Sequence, residues 1–207
     1  MKVKIFHGSH DCFEEVLLYK CCDIGFHCGT LEQALYRIMD IGKCYTETFF
    51  KSYVYEINID IDNKNCIELP DCISWADFDN VKGQILHYYP SIKIQEVKTL
   101  EELRNFLLDM GIKYIQYENK IEGKGYSYVI LYENINFERY TVREIINKIS
   151  EKWEKEIISI DSDSILNRFK TEYRSIFKIF KLQYRTDKRE VIQYLRNPLE
   201  KIEDQQI

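Results

Sequence analysis

Tyr114-Ile115-Gln116-Tyr117-Glu118-Asn119-Lys120-Ile121-Glu122-Gly123-Lys124-Gly125-Tyr126-Ser127-Tyr128-Val129-Ile130-Leu131-Tyr132 is the stretch that decides the fold. Two runs rich in aromatic and β-branched residues flank a polar loop, which predicts strands over 113–117 and 127–132. Gly123 and Gly125 let the intervening backbone turn sharply without a Cβ penalty. Glu122 sits in that loop, ahead of the second strand. A carboxylate on a mobile turn between two rigid strands is one way to present a catalytic group. The plainer alternative is a solvated hairpin carrying an incidental surface acid.

Upstream, Lys2 to Phe6 alternates polar and apolar residues, as a half-buried strand does. Asp11 to Cys21 reads as a weak helix, and Ile24 to Cys28 as a short strand. Thr30-Leu31-Glu32-Gln33 has the pattern of a capping box and starts a helix that runs to about Gly42. Tyr53 to Ile61 alternates over its whole length and is the clearest strand. Asp62 to Asn65 turns the chain into another strand, Cys66 to Leu69. Asp71 to Asp79, with Trp75, is irregular. Helices are expected from Val81 to Tyr89 and from a second box, Thr99-Leu100-Glu101-Glu102, to just before Gly111. An edge strand is expected at Ile135 to Arg139. Short strands mixed with helices, without a repeated βαβ rhythm, indicate an α+β protein with a mixed or mostly antiparallel sheet.

From Tyr140 onward helical periodicity takes over. Thr141-Val142-Arg143-Glu144 caps one helix, a break is expected at Ser162 to Ser164, and Ile165 to Arg185 reads as one long helix. Asp187 to Arg196 reads as another. The expected organisation is a domain over 1–140 and a helical appendage over 141–207. Phe169, Tyr173, Phe177, Phe180 and Tyr184 recur at helical spacing, which indicates core packing. Lys170, Arg174, Lys178, Lys181 and Arg185 lie beside them, as a solvated face or as a contact for a nucleic-acid-bearing target.

Composition narrows the class. Hydrophobic residues form 45% of the 207 and charged residues 30%, so a packed core is expected and disorder is not. A net charge of −5 argues against a surface built for non-specific nucleic-acid binding. No apolar run is long enough to span a bilayer, and the N-terminal apolar run is too short for a signal peptide. The seven cysteines are odd in number and form no C-x-x-C pair, so neither a disulfide framework nor a zinc site is expected. Reduced thiols and a cytoplasmic location follow from that reading.

Three segments offer chemistry. Phe6-His7-Gly8-Ser9 places an imidazole, a bare backbone and a hydroxyl at the end of the first strand. Gly25-Phe26-His27-Cys28-Gly29-Thr30 is a glycine-bounded strand leading into a helix. The Glu122 loop is the third. Together with Leu31-Glu32-Gln33-Ala34, Leu69-Pro70-Asp71, Trp75, Asn119-Lys120-Ile121-Glu122 and Ser127-Tyr128-Val129-Ile130, their order resembles the ADP-ribosyltransferases. The resemblance covers roughly residues 3 to 138 and is nearest to small bacterial and phage members, including anti-CRISPR ADP-ribosyltransferases and domains of phage polyvalent proteins.

That resemblance implies a split sheet around an NAD cleft. It implies that His7 holds ribose hydroxyls, that the Gly8 backbone binds the nicotinamide carboxamide with support from Ser9, and that Glu122 is the catalytic acid. Thr30 and Tyr36 are further NAD-contact candidates. His27 stands where the family carries a tyrosine that stacks on nicotinamide; Tyr36 or Tyr45 are alternatives for that role. Ser127 occupies the strand position where many relatives place the acid. Lys120 stands where arginine-specific members carry a second acid or amide, so arginine modification is not implied. NAD would be a substrate, and no metal is implied. The implied activity is mono-ADP-ribosylation of a macromolecule, with a host protein or nucleoprotein complex as target and an anti-defence role. A non-catalytic binding protein on the same fold and an NAD glycohydrolase are the alternatives.

Overall fold

The computed structural model describes residues 1–41, 46–72, 74–94, 96–119, 121–159, 163–179 and 191. The order is β1 (Lys2–Ser9), β2 (Phe26–Cys28), α1 (Leu31–Ile41), α2 (Thr46–Lys51), β3 (Tyr53–Asp60), β4 (Cys66–Leu69), α3 (Phe78–Tyr88), α4 (Leu100–Asp109), β5 (Tyr114–Glu118), β6 (Tyr126–Ile130), β7 (Phe137–Thr141), α5 (Val142–Ser159), α6 (Asp163–Glu172) and α7 (Arg174–Ile179). The protein is α+β, with a three-stranded sheet ordered β1-β3-β7 and a four-stranded sheet ordered β2-β6-β5-β4.

The hairpin expected around Glu122 forms. β5 and β6 pair antiparallel, with Tyr117 opposite Ser127 and Glu118 opposite Tyr126. β2 adds to β6 antiparallel, with His27 opposite Val129. β4 and β5 are parallel, with Leu69 opposite Tyr117. Parallel strands need a long crossover, and here the connection carries α3 and α4.

Strand alternation sorts the four-stranded sheet into two buried faces. Ile67, Leu69, Ile115, Tyr117 and Val129 lie on one face, in a cluster with Trp75, Val81, Ile85, Leu103 and Leu107. Phe26, Cys28, Tyr114, Tyr128 and Ile130 lie on the other, clustered with Ile5, Ile57 and Ile59 of β1 and β3.

The chain divides into two compact units. The first comprises 1–7, 12–34 and 55–138; the second comprises 8–11, 35–54 and 139–207. The second therefore groups the C-terminal helices with two earlier segments rather than beginning at a single point near 140. Within it Val142 N donates to Ser52 O at 2.9 Å. Trp153 of α5 stacks on Phe169 at 4.5 Å and meets Phe177 edge-on at 5.7 Å. The aromatic stripe is thus core packing as far as it is described, while Arg174 and Lys178 are exposed.

Two expected helices change. Asp11 to Cys21 holds only a single 3-10 turn, Leu18–Lys20. It lacks a side-chain N-cap, and Val16, from irregular backbone, and Leu18, from that turn, are drawn into the core. The long helix from Ile165 is interrupted at Tyr173, which separates α6 from α7. The expectations for Gly42, Tyr45, Lys120, Phe180, Lys181, Tyr184, Arg185 and 187–196, and for the break near Ser162, fall largely or wholly outside the described residues. No described helix is long and apolar enough to cross a membrane.

Candidate functional site

β1 and β2 meet at one antiparallel bridge, where Phe6 N donates to Gly29 O and Gly29 N to Phe6 O, both at 2.8 Å. One residue further on β1, His7 Nδ1 lies 2.7 Å from His27 O. A carbonyl only accepts, so Nδ1 carries a proton. The His7 ring packs on Phe26 at 4.2 Å, with Phe13 and Tyr55 at about 6 Å.

The bridge leads directly into the start of α1, where the capping box forms as expected. Thr30 Oγ1 accepts from Gln33 N at 3.2 Å, and Gln33 Oε1 accepts from Thr30 N at 2.7 Å. Gln33 does more than cap. Its Oε1 also accepts from Ser127 Oγ at 3.1 Å, and its Nε2 donates to Gly123 O at 3.4 Å and Gly125 O at 3.3 Å. One residue of 2% exposure therefore ties the start of α1 to the part of the loop that follows Glu122 and to β6. The approach is close: a Cβ on Gly29 would lie 2.1 Å from Gln33 Oε1.

The loop is organised from its other side by Asn119. Asn119 Oδ1 accepts from Ile121 N at 3.2 Å and Glu122 N at 3.0 Å, the pattern of an Asx-turn. Asn119 Nδ2 donates to Glu122 Oε2 at 2.8 Å and to Ser127 Oγ at 3.2 Å. Gly123 and Gly125 take φ of +145° and +113°, in the region that favours glycine. The mobile turn expected from sequence is thus hydrogen-bonded to α1 and β6 through Gln33, Asn119 and Ser127. Glu32, beside Gln33, also reaches the loop; its Cγ would lie 3.6 Å from a Cβ on Gly123.

His27 points to the face of β2 opposite Phe26, and so opposite the ring on which His7 packs. Its Nδ1 is 3.1 Å from Tyr117 Oη, and its Nε2 is 3.6 Å from Asp23 Oδ2. Trp75 meets its ring edge-on at 5.6 Å. Tyr117 is buried, which pushes its phenol well above the ordinary range and keeps it protonated. Ser127 is its cross-strand partner.

Of the residues singled out by sequence, the first unit joins His7, His27, Thr30 and Glu122 through short hydrogen-bond paths. Gly8, Ser9 and Tyr36 belong to the second unit. Gly8 is buried, Ser9 Oγ accepts from Asp11 N at 3.0 Å, and Tyr36 is half-buried on α1. Sequence reading missed Asn119 and Tyr117 as members of the cluster, and saw Gln33 only as a cap. Among the described residues, no group of three or more His, Cys, Asp or Glu is gathered as a metal site. Comparison with family models, curated proteins and solved structures returns no match for this chain.

Proposed function

We propose that the protein is an NAD-dependent mono-ADP-ribosyltransferase acting on a macromolecular target, with Glu122 as the catalytic carboxylate. The observation that carries this reading is the linkage of three sequence-distant segments in one unit. His7 is bonded to the backbone of β2, β2 runs through Gly29 into Thr30, and Gln33 bonds the loop that bears Glu122. These are the segments whose order resembles the ADP-ribosyltransferases.

The chemistry suits the residue types. The bond from C1′ of the ribose to the nicotinamide nitrogen breaks with its electron pair moving onto nicotinamide, which leaves neutral. No acid is needed for departure. Positive charge develops on C1′ and the ring oxygen, as in glycoside hydrolysis. A fixed carboxylate stabilises that charge electrostatically. The acceptor then bonds to C1′ and gives up its proton. The Glu122 carboxylate is held from one side by Asn119 Nδ2, and its backbone N–H is held by Asn119 Oδ1. In this reading the site needs no metal. The target is proposed to be a host protein or nucleoprotein complex.

Incubation of the purified protein with labelled NAD and host lysate tests the reading. A protein-linked ADP-ribose adduct is expected, and Glu122→Gln should lower nicotinamide release by on the order of 10²–10³. Free ADP-ribose without labelled protein would instead assign a glycohydrolase. Absence of nicotinamide release under all conditions would leave a binding protein.

A further inference from the structure

We infer that Asn119 and Gln33 are positioning residues for Glu122: Asn119 aims a neutral donor at the carboxylate, and Gln33 fixes Asn119 through Ser127 and holds the loop backbone. This rests on the transferase reading and adds two residues to it. It also gives Gln33 a task distinct from capping α1.

Backbone partners set the orientation of both amides. Asn119 Oδ1 accepts from the N–H groups of Ile121 and Glu122, so the other branch is the nitrogen. Asn119 Nδ2 donates to Glu122 Oε2 at 2.8 Å and to Ser127 Oγ at 3.2 Å. Gln33 Oε1 accepts from Thr30 N and from Ser127 Oγ, while Nε2 donates to Gly123 O and Gly125 O. Each amide thus fills its two acceptor and two donor positions. A flip of either would set N–H against N–H and oxygen against oxygen. Ser127 Oγ donates to Gln33 and accepts from Asn119, so one hydroxyl joins the two amides.

Gln33 and Ser127 are each 2% exposed and Asn119 is 5% exposed. The end of β5, the start of β6 and the first turn of α1 therefore converge on one carboxylate from a buried side. A bond broken there leaves a polar group unmatched, which is costly, so the three side chains hold one arrangement. Charge matters as much as geometry. A lysine or arginine partner would hold a carboxylate and offset its charge. The Asn119 amide holds Glu122 and leaves the charge in place to face the positive C1′. A charge-stabilising group acts only when it is held where charge develops. Loosening the arrangement therefore lowers turnover more than NAD binding.

Two variants test the inference, read by kcat and KM for nicotinamide release. Asn119→Asp keeps an oxygen to accept from the Ile121 and Glu122 amides but replaces the donor facing Glu122 with a second acceptor. Its kcat is expected to fall about tenfold or more, with KM for NAD within about twofold. Gln33→Glu keeps the oxygen that caps α1 and removes the donors to Gly123 O and Gly125 O. The same split between kcat and KM is expected, together with faster amide exchange at 121–125. Should Gln33→Glu fail to fold, Ser127→Ala replaces it: that change cuts the link between the two amides and should lower kcat about threefold or more. Wild-type kcat in the folded variants, or a change confined to KM, overturns the inference while the transferase reading stands. A wild-type protein that releases no nicotinamide, with or without host lysate, overturns the transferase reading and this role with it.

Discussion

Gln33 uses every hydrogen-bonding position of its amide, and both it and its partner Ser127 are buried. Replacing it with methionine keeps the volume and removes two acceptor and two donor functions. The expected cost is about 1–3 kcal/mol in chemical denaturation, since the Ser127 hydroxyl left without its acceptor stays buried. Amide exchange at 121–125 should accelerate in the same variant, because Gly123 O and Gly125 O lose their shared donor. Gly29→Ala should act on the same contact from the other side, as its Cβ would overlap Gln33 Oε1. The capping role of Gln33 is legible from a Thr three residues earlier. Its second role is not, because it depends on which residues of β6 come to lie beside α1. Asn119 carries a partial signal as a turn-forming residue next to glycines. Tyr117 carries none: an aromatic residue in a strand reads as core until the register sets it opposite Ser127.

Among the elements, helix starts are the best-coded feature, because the cap and its partner lie within one turn of each other. At α5, Thr141 Oγ1 accepts from Glu144 N at 3.2 Å, and Glu144 Oε2 accepts from Thr141 N at 2.7 Å and Thr141 Oγ1 at 2.9 Å. Thr141→Ala should cost about 0.5–2 kcal/mol, read by denaturant unfolding. The Thr141 backbone N–H and then its hydroxyl hold the Glu144 carboxyl below its usual 4.5. A lowered folded value means the contribution is present in full above that ordinary value and is lost as pH falls through the folded one. Glu144→Gln should therefore flatten the acid side of the stability profile. At α4 the box is looser: Thr99 Oγ1 accepts from Glu102 N, but the Glu102 carboxylate reaches Lys98 N rather than Thr99 N. Strands are legible where alternation is long, as in β3. The segment from Asp11 to Cys21 misleads because its apolar residues fit a helical period while no residue caps it, and its side chains serve the core without regular backbone.

For the molecule as a whole, the four-stranded sheet is buried on both faces, and its thiols report on that burial. Burial raises Cys28 well above its usual 9.0, and raises Cys66 and Cys72 from 9.0 to about 11. Cys12 and Cys22 are exposed. Among the described cysteines, a thiol reagent under native conditions should consume Cys12 and Cys22 first. Cys28 and Cys72, which are buried, should react only as the first unit opens, which makes their labelling a probe of its unfolding. The same shifts set the alkaline limit of stability. The folded values are raised, so the contribution is complete below pH 9.0 and is lost as pH rises toward about 11, where the unfolded chain ionises first. Burial raises the phenols of Tyr114 and Tyr117 as well, in the same direction. Denaturation midpoints should therefore fall progressively over that interval. A Cys66→Ala, Cys72→Ala double variant should lose part of the slope, whereas replacing the exposed Cys12 and Cys22 should leave it unchanged. A midpoint that stays level from pH 9.0 to 11 in the unaltered protein would mean that these thiols are already open to solvent in the folded state.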